Sequence, residues 1–530
     1  MRMGIDVGGT NTDAVLLDGR QVLAWRKAPT TADVSTGIVE AISAVLAQAS
    51  VAPGEIESVM IGTTQFTNAI VERRQLLKVG VIRIALPATS GLPPLVDWPE
   101  DMKEAVHGAT YLVHGGYQHD GRVANALGVE ELKSAARELR NLGISSVAVS
   151  CVFSPIKAEM EMQAEQILRD LMPGVRVSLS HRIGRLGILE RENASIMNAC
   201  LADLSASVVQ SFRDALDRLG IAAPFFISQN DGTLMSAEVV ERYPVLTFAS
   251  GPTNSMRGAA YLSDRADAIV ADIGGTTTDI GVLVNGFPRE SSVNADIGGV
   301  RTNFRMPDIL SLGLGGGSIV RRTPGSLTLG PQSVGFAIRE KALVFGGDTL
   351  TATDIAVAAG YADVGDRSRV AGLPANLVSE GVSQIHRMVA VGMDRMKTSR
   401  AHAPLMLVGG GAVLIHEPIP GAGEVIVPPY ASVANAIGAA IAQVGGEVDR
   451  VFYYAKSGRE ASLEAARTAA KQAAVDAGAD RATVKIVELE ELPLAYVPDG
   501  AVRIRVRAAG ELLVAASDRA REPSASPVMN

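Results

Sequence analysis

The chain has 530 residues, 47% of them hydrophobic, enough for large buried cores and for roughly two to four domains of ordinary size. Its 49 basic and 57 acidic side chains leave a net charge of −8, and no basic stripe or aromatic platform suggests a nucleic-acid partner. Only Cys151 and Cys200 are present, which excludes a disulfide framework. The one long apolar run, 433–444, is too short for a membrane span and is broken by Asn435 and Gln443, so a soluble cytoplasmic protein without a leader segment is expected.

The N-terminus enters a strand at once, then a Gly-Thr-rich loop, Asp6-Val-Gly-Gly-Thr-Asn-Thr-Asp13, and a second strand ending at the Asp18-Gly19 turn. A further strand over 22–25 and an amphipathic helix over 36–49, with Ile38, Ile42, Val45 and Leu46 on one face, follow. The stretch 59–70 reads as strand, polar turn and helix. Thr63 and Thr64 stand at the junction, where free N–H groups can hold an anion or where one threonine caps the helix. Strands over 79–85 and 147–152 with a helix over 129–142 suggest an inserted α/β region. Between them, His114, His119 and Asp120 lie within seven residues, but their spacing matches no metal template and the neighbouring glycines favour a turn. A single long helix is predicted over 191–219, then a strand over 225–228, a turn at 230–232, and a helix opening at Ser250-Gly-Pro-Thr-Asn254.

At 269–284 the opening device returns. Asp272-Ile-Gly-Gly-Thr-Thr-Thr-Asp279 aligns without a gap with Asp6–Asp13, at an offset of 272 − 6 = 266, and six of the eight paired positions are identical. Such a repeat, a domain length apart, points to an internal duplication. In each copy the glycines let the backbone approach an anion and aim N–H groups at it, and the threonines add donors. Paired carboxylates beside a bare phosphate would repel it; with a divalent cation between them, as Mg²⁺ accompanies a nucleotide, the arrangement becomes favourable. Asp6, Asp13, Asp272 and Asp279 are therefore the expected catalytic carboxylates, with Asp6 and Asp272 on the metal. Gly8, Gly9, Thr10, Asn11 and Thr12, and Gly274, Gly275, Thr276, Thr277 and Thr278, are the expected phosphate contacts.

Two more glycine clusters, Gly315-Gly316-Gly317 and Gly409-Gly410-Gly411, allow a flat ring or phosphate to lie on bare backbone, or allow close strand–helix packing. Asp354 is placed in the first turn of a helix. Small residues over 431–442 favour tight helix packing. From 451 the pattern is strand, Ala-rich helix (460–477) and strands over 484–488 and 502–508, a small α+β region; 516–530 is polar and expected to be disordered.

Taken in order, Gly4–Asp13, Ile61-Gly-Thr-Thr-Gln-Phe-Thr-Asn-Ala69, Arg191-Glu-Asn193, Ser250-Gly-Pro252, Asp272–Asp279, Gly315–Ser318 and Gly330-Pro-Gln-Ser-Val-Gly335 make the chain resemble the A-type subunit of the hydantoinase/oxoprolinase family over about residues 3–440. That resemblance implies an α/β fold of duplicated actin-like, ribonuclease H-like lobes closing on ATP and Mg²⁺, as in actin, Hsp70 and sugar kinases. The expected division is an N-terminal lobe (1–185), an ATPase lobe (186–450), a small C-terminal α+β domain (451–515) and the tail. It implies ATP-dependent activation of the carbonyl of a cyclic amide (hydantoin, oxoproline or lactam), with Thr63, Thr64 and Asn68 facing phosphate or substrate, and Gly315–Gly317 and Gly409–Gly411 on the nucleoside side. A B-type hydantoinase subunit, a homo-oligomer, or both are the implied partners, with no nucleic acid or membrane. The alternatives are a small-molecule kinase, an actin- or Hsp70-like ATPase switch, and the ATP-using subunit of a ketone carboxylase.

Overall fold

The computed structural model describes residues 1–9, 11–30, 34–291, 295–323, 326–494, 497 and 500–513; Thr10 and the tail over 516–530 lie outside the described residues. The chain divides into two compact units, Met1–Ala442 and Gln443–Asn530.

The first unit begins with strands β1 (Arg2–Val7), β2 (Asn11–Asp18) and β3 (Gln21–Pro29), an antiparallel meander, then helix α1 (Val34–Ala49), strand β4 (Ser58–Thr63) and helix α2 (Gln65–Glu72). Helix α1 buries Ile38, Ala41, Ile42 and Val45, the spacing of one helical face, against this sheet. The inserted region follows as β5 (Val79–Leu86), β6 (His107–His114), α3 (Val129–Asn141), β7 (Ser146–Cys151), α4 (Glu159–Leu171) and β8 (Arg176–Leu179). Its four strands are parallel in the order β8-β7-β5-β6. Helix α3 buries Leu132, Ala135, Ala136 and Leu139, with Glu130 and Glu131 in its first turn and Arg140 in its last, as the helix dipole favours.

Where the spacing predicts one helix over 191–219, two form: α5 (Ile188–Cys200) and α6 (Ala202–Arg218). The break lies at Leu201 (φ −92°, ψ 0°), where the Cys200 carbonyl accepts the N–H of Leu77 at 2.9 Å, outside the helix. Strands β9 (Phe225–Ser228) and β10 (Thr233–Ser236) then complete the first sheet, giving β3-β2-β1-β4-β9-β10 with β1, β4 and β9 parallel.

Helix α7 (Ser250–Ser263) leads into a second sheet: β11 (Ala268–Ile273), β12 (Thr278–Val284), β13 (Ile309–Leu312), helices α8 (Ala352–Ala358) and α9 (Ala375–Met396), then β14 (Ala403–Val408) and β15 (Ala422–Ile426). Its order β13-β12-β11-β14-β15, with β11, β14 and β15 parallel, repeats that of β3-β2-β1-β4-β9. Duplication in sequence is thus duplication of topology, and the unit is a pair of actin-like lobes with an α/β insertion. Asp354 sits where expected, closing a capping box with Thr351 at the start of α8.

Helix α7 and the short helix α10 (Ala434–Ala440) cross between the lobes. A Cβ on Gly258 would lie 1.9 Å from the Ala434 carbonyl oxygen, and one on Gly438 would lie 1.8 Å from that of Asn254, so bare backbones touch at both points. The contacts are reciprocal because the helices match at an offset of 438 − 258 = 180: Gly258-Ala-Ala260 pairs with Gly438-Ala-Ala440, and Ser255 with Asn435.

The second unit is an antiparallel sheet of β16 (Gln443–Tyr453), β17 (Lys485–Pro493) and β18 (Ala501–Gly510), with β18 central, covered by helix α11 (Arg459–Asp476) through Leu463, Ala466, Ala470 and Ala474. The strand expected over 451–454 is the end of the longer β16. Among the described residues no helix is long and apolar enough to cross a membrane.

Candidate active site

The two Gly-Thr loops are closed by the same backbone hydrogen bond. In the first, Gly8 N–H donates to the Asn11 carbonyl at 3.0 Å; in the second, Gly274 N–H donates to that of Thr277 at 2.8 Å. The strand register sets Asp6 opposite Asp13 and Asp272 opposite Asp279. Continuing across each sheet gives two rows: Gly62, Asp6, Asp13 and Lys27 in the first lobe, and Val408, Asp272, Asp279 and Ser311 in the second. Neighbours in a row point to the same face, so each row presents two carboxylates together.

The structure brings the two rows within electrostatic reach. Burial, together with the charge of Asp13 and more weakly that of Asp272, pushes Asp6 up to about 7. Burial raises Asp13 despite its Lys27 partner. Asp272 is raised by burial and by the charge of Asp13, and Asp279 is pushed up to about 6 by burial and by Asp272. Four carboxylates held above their ordinary range are a site short of positive charge. Lys27 Nζ stands 2.6 Å from Asp13 Oδ2, Asn435 donates to Asp6 Oδ2 at 2.8 Å, Ser255 hydrogen-bonds Asp272, and Ser311 donates to Asp279 Oδ1 at 2.5 Å. The supports are crossed: Asn435 on α10, which follows the second lobe, serves the first, and Ser255 on α7 serves the second.

These four supporting side chains were not singled out from sequence. The available signal was the Gly-Ala-Ala repeat at offset 180, which aligns Ser255 with Asn435. Asn254 was also passed over: it is fully buried, both its side-chain polar atoms lack partners among the described residues, and a Cβ on Gly62 would fall between Asp6 Oδ1 and Asn254 Nδ2, 2.4 Å and 2.5 Å away.

Of the predicted phosphate contacts, Gly9, Gly275, Thr276 and Thr277 are exposed at the loop tips, with Gly8, Asn11 and Gly274 partly so. Thr12 and Thr278 are buried: Thr12 Oγ1 lies 3.2 Å from Thr30 Oγ1, and Thr278 Oγ1 donates to the Leu314 carbonyl at 2.7 Å. Thr64 precedes α2 and sends its N–H to the Val7 carbonyl at 3.3 Å. Asn68 Nδ2 donates to Thr64 Oγ1 at 3.4 Å, which places both beside the first loop, while Thr63 is buried below. Gly316 and Gly317 donate to the carbonyls of Gly274 and Gly275 at 3.0 and 2.8 Å, so the second glycine cluster braces the second loop. Gly409 and Gly411 pack on Asp272 and Ile273, and Gly410 is open.

The remaining motifs are interior. Glu192 accepts from Arg83 at 2.8 Å and Ser150 at 2.7 Å, Arg191 donates to Ser180 and the Cys151 carbonyl, and Asn193 accepts from Trp98, tying α5 to the inserted sheet. His114 pairs with Glu131 and Asp120 with Arg122, at a turn around Gly121 (φ +82°). Among the described residues no three His, Cys, Asp or Glu side chains converge as a metal cage.

The donor set nevertheless fits a cation that keeps much of its water and shares phosphate oxygens, as Mg²⁺ does. Among the described residues, Asp6 Oδ1 and Asp13 Oδ1 are buried without hydrogen-bond partners, and nothing lies within 4 Å of where a Cβ would stand on Gly275 or Gly410.

The chain matches the hydantoinase/oxoprolinase N-terminal region over residues 2–172 and the hydantoinase/oxoprolinase family model over residues 191–366. It is 27% identical over 391 residues to the acetophenone carboxylase gamma subunit of Aromatoleum aromaticum, covering 67% of this chain and 53% of that protein. It is 26% identical over 497 residues to the caprolactamase subunit alpha of Pseudomonas jessenii, covering 84% of this chain and 70% of that one. The chain thus spans about half the length of the first relative. The crystal structure of the ATP-dependent caprolactamase from Pseudomonas jessenii superposes with a TM-score of 0.75 at 19% identity, over 96% of this chain and 87% of that chain, a likeness of fold. With two duplicated lobes, two matching carboxylate rows and two family models in sequence order, the chain belongs to the hydantoinase/oxoprolinase family.

Proposed function

We propose that this chain transfers the γ-phosphoryl group of ATP to the carbonyl oxygen of a cyclic amide of hydantoin, oxoproline or lactam type, so that water can open the ring. The observation that carries the reading is the pair of Gly-Thr hairpins whose four raised carboxylates share a single ion pair among the described residues, Lys27 on Asp13. Bound Mg-ATP would supply the phosphoryl group and the positive charge that neutralises it. Asp6 and Asp272 would hold the cation, with Asp13 and Asp279 orienting its waters. The N–H groups of Gly9, Gly275, Thr276 and Thr277 and the hydroxyls of Thr276 and Thr277, on loops closed by the Gly8–Asn11 and Gly274–Thr277 hydrogen bonds, would hold the phosphates in line with the acceptor. The Gly315–Gly317 and Gly409–Gly411 backbones would shape the nucleoside side. Thr64 and Asn68, beside the first loop, would face the acceptor carbonyl.

Positioning and charge neutralisation are most of what phosphoryl transfer demands. An amide carbonyl resists water because nitrogen donates into it; placing a phosphoryl group on the oxygen removes that protection. Water then adds to that carbon and the C–N bond breaks with a proton going to nitrogen, which leaves an acyl phosphate; a second water attacks its carbonyl carbon, the C–O bond breaks, and phosphate departs with the original carbonyl oxygen to leave the carboxylic acid.

The likeness to subunits of caprolactamase and acetophenone carboxylase supports a partner chain, of B-type or a second copy, that completes the reaction. The carboxylase likeness also favours a second reading, in which the acceptor is the oxygen of a ketone enolate. The deciding experiment incubates the protein, with and without its genomic-neighbour subunit, with Mg-ATP and a panel of hydantoins, lactams and ketones, the ketones also with bicarbonate. Phosphate release in step with ring opening, with carbonyl ¹⁸O recovered in phosphate, supports the first reading. Phosphate release that requires a ketone supports the second. A stable phosphorylated product would make the chain a kinase, and ring opening without nucleotide would overturn the proposal.

A further inference from the structure

The two rows are alike until their outer ends. The first ends in Lys27 and the second in Ser311, each one strand beyond the outer aspartate of its hairpin. A serine can offer one donor to its neighbour, and Ser311 gives it to Asp279. A lysine ammonium has three donors, and among the described residues Lys27 spends one, on Asp13 at 2.6 Å. The Lys27 side chain keeps 30% of its exposure while Asp13 keeps 1%, so the ion pair is open on the lysine side. The charge of Lys27 is also felt at Asp6 and, across the cleft, at Asp272. A counter-ion needed only to compensate a buried aspartate has no reason to present two N–H groups outward.

Lys27 is also tied to the first loop by its own strand. Thr30, just past the end of β3, donates to the Gly8 carbonyl at 2.7 Å, so the loop backbone and the lysine move together. The glycine clusters proposed above for the nucleoside side both lie on the other lobe: Gly316 and Gly317 on Gly274 and Gly275, and Gly409 and Gly411 on Asp272 and Ile273. A phosphate chain that starts at the second lobe therefore ends at the first, where Lys27 stands.

We propose that Lys27 recognises the terminal phosphoryl group of a bound nucleoside triphosphate through its two uncommitted N–H donors, keeping the third on Asp13, and so distinguishes triphosphate from diphosphate. This inference rests on the nucleotide-dependent reading above. It assigns the lobes different tasks: the second holds the nucleoside and inner phosphates, the first the group to be transferred.

The test is equilibrium binding of the magnesium complexes of ADP and of the non-hydrolysable β,γ-imido analogue of ATP to the full chain, compared with Lys27→Met and Lys27→Arg. Methionine keeps the length without charge, and loss of a charge-assisted contact should weaken the triphosphate by about 10- to 100-fold. ADP should change by less than about 3-fold. Lys27→Arg should keep most of the discrimination, and it keeps the experiment decisive should the methionine variant not fold. Equal losses for both nucleotides, or none for either, would overturn the inference and leave Lys27 as a counter-ion of Asp13 while the nucleotide reading stands. A wild-type chain that binds neither nucleotide would overturn both.

Discussion

The two lobes keep the same hairpin, the same cross-sheet row and the same loop closure, yet they are fastened differently. In the first, Thr30 and Thr64 tie the loop to strand ends of its own sheet, and Asp6 and Asp13 are buried. In the second, Gly316 and Gly317 brace the loop from an added segment, that segment is held by Thr353 at the start of α8, and Asp272 and Asp279 are half-buried. What duplication preserved is the hairpin register and the hydrogen bond that closes each loop. What diverged is the side chains around it, and with them the charge each lobe brings to the cleft.

The strongest way to break the comparison is to neutralise one row at a time. Asp272→Asn and Asp6→Asn each keep the side-chain volume and remove a charge proposed to position the cation, so nucleotide turnover should fall by about 10²- to 10³-fold in either variant. Phosphate release is the measurement. Near-normal turnover in one variant only would show that a single lobe does the chemistry. Because both carboxyls are raised by burial, the same substitutions should leave the nucleotide-free protein as stable as wild type or more so at neutral pH.

Next is the crossing of α7 and α10, where bare backbones touch. Gly258→Ala or Gly438→Ala would put a methyl group within 2 Å of a carbonyl oxygen, at 1.9 and 1.8 Å respectively, and no flexible side chain is there to yield. A loss of about 3 kcal/mol or more is expected, visible in the denaturant midpoint. Equal losses at the two sites would confirm that the crossing is symmetric in energy as well as in shape.

The hairpins and their topology were legible in the sequence because Gly-Gly-Thr and its flanking aspartates are local. The inner partners were not. Lys27 joins Asp13 by strand register, and Asn435 reaches Asp6 from 429 residues away by helix crossing. Neither leaves a local pattern. Thr12 and Thr278 look like their exposed neighbours in one-letter form, but strand alternation turns them inward to Thr30 and the Leu314 carbonyl. The break at Leu201 was hidden for a related reason: it depends on Leu77, far away in the chain.

A smaller effect follows from the raised carboxyls. Asp6 at about 7 and Asp279 at about 6 hold their protons more tightly in the folded chain than the ordinary 3.8 of the unfolded one. The native state therefore carries more protons between about pH 4 and pH 7, and the nucleotide-free fold should lose stability as pH rises through that window. Mg²⁺ with nucleotide should restore it, so the rise in melting temperature on adding both should be larger at pH 8 than at pH 5. A rise that shrinks with pH would mean the carboxylates do not meet the cation.

The smallest effect sharpens the comparison at the end of the second row. Ser311 donates to Asp279 Oδ1, which favours the ionised carboxyl and holds it down near 6 against burial and the charge of Asp272. Ser311→Ala removes the donor with little change in volume, so the Asp279 carboxyl should move further up. The kcat/KM for nucleotide, which reports the nucleotide-free enzyme, should fall by about 3- to 10-fold at pH 6.5. At pH 8.5, above the shifted value, it should return to within about 2-fold of wild type. The acid limb of the pH profile moves to higher pH and the plateau stays. A loss uniform across pH would place Ser311 in the packing of β13 against β12, and the two rows would then differ in fastening alone at their outer ends.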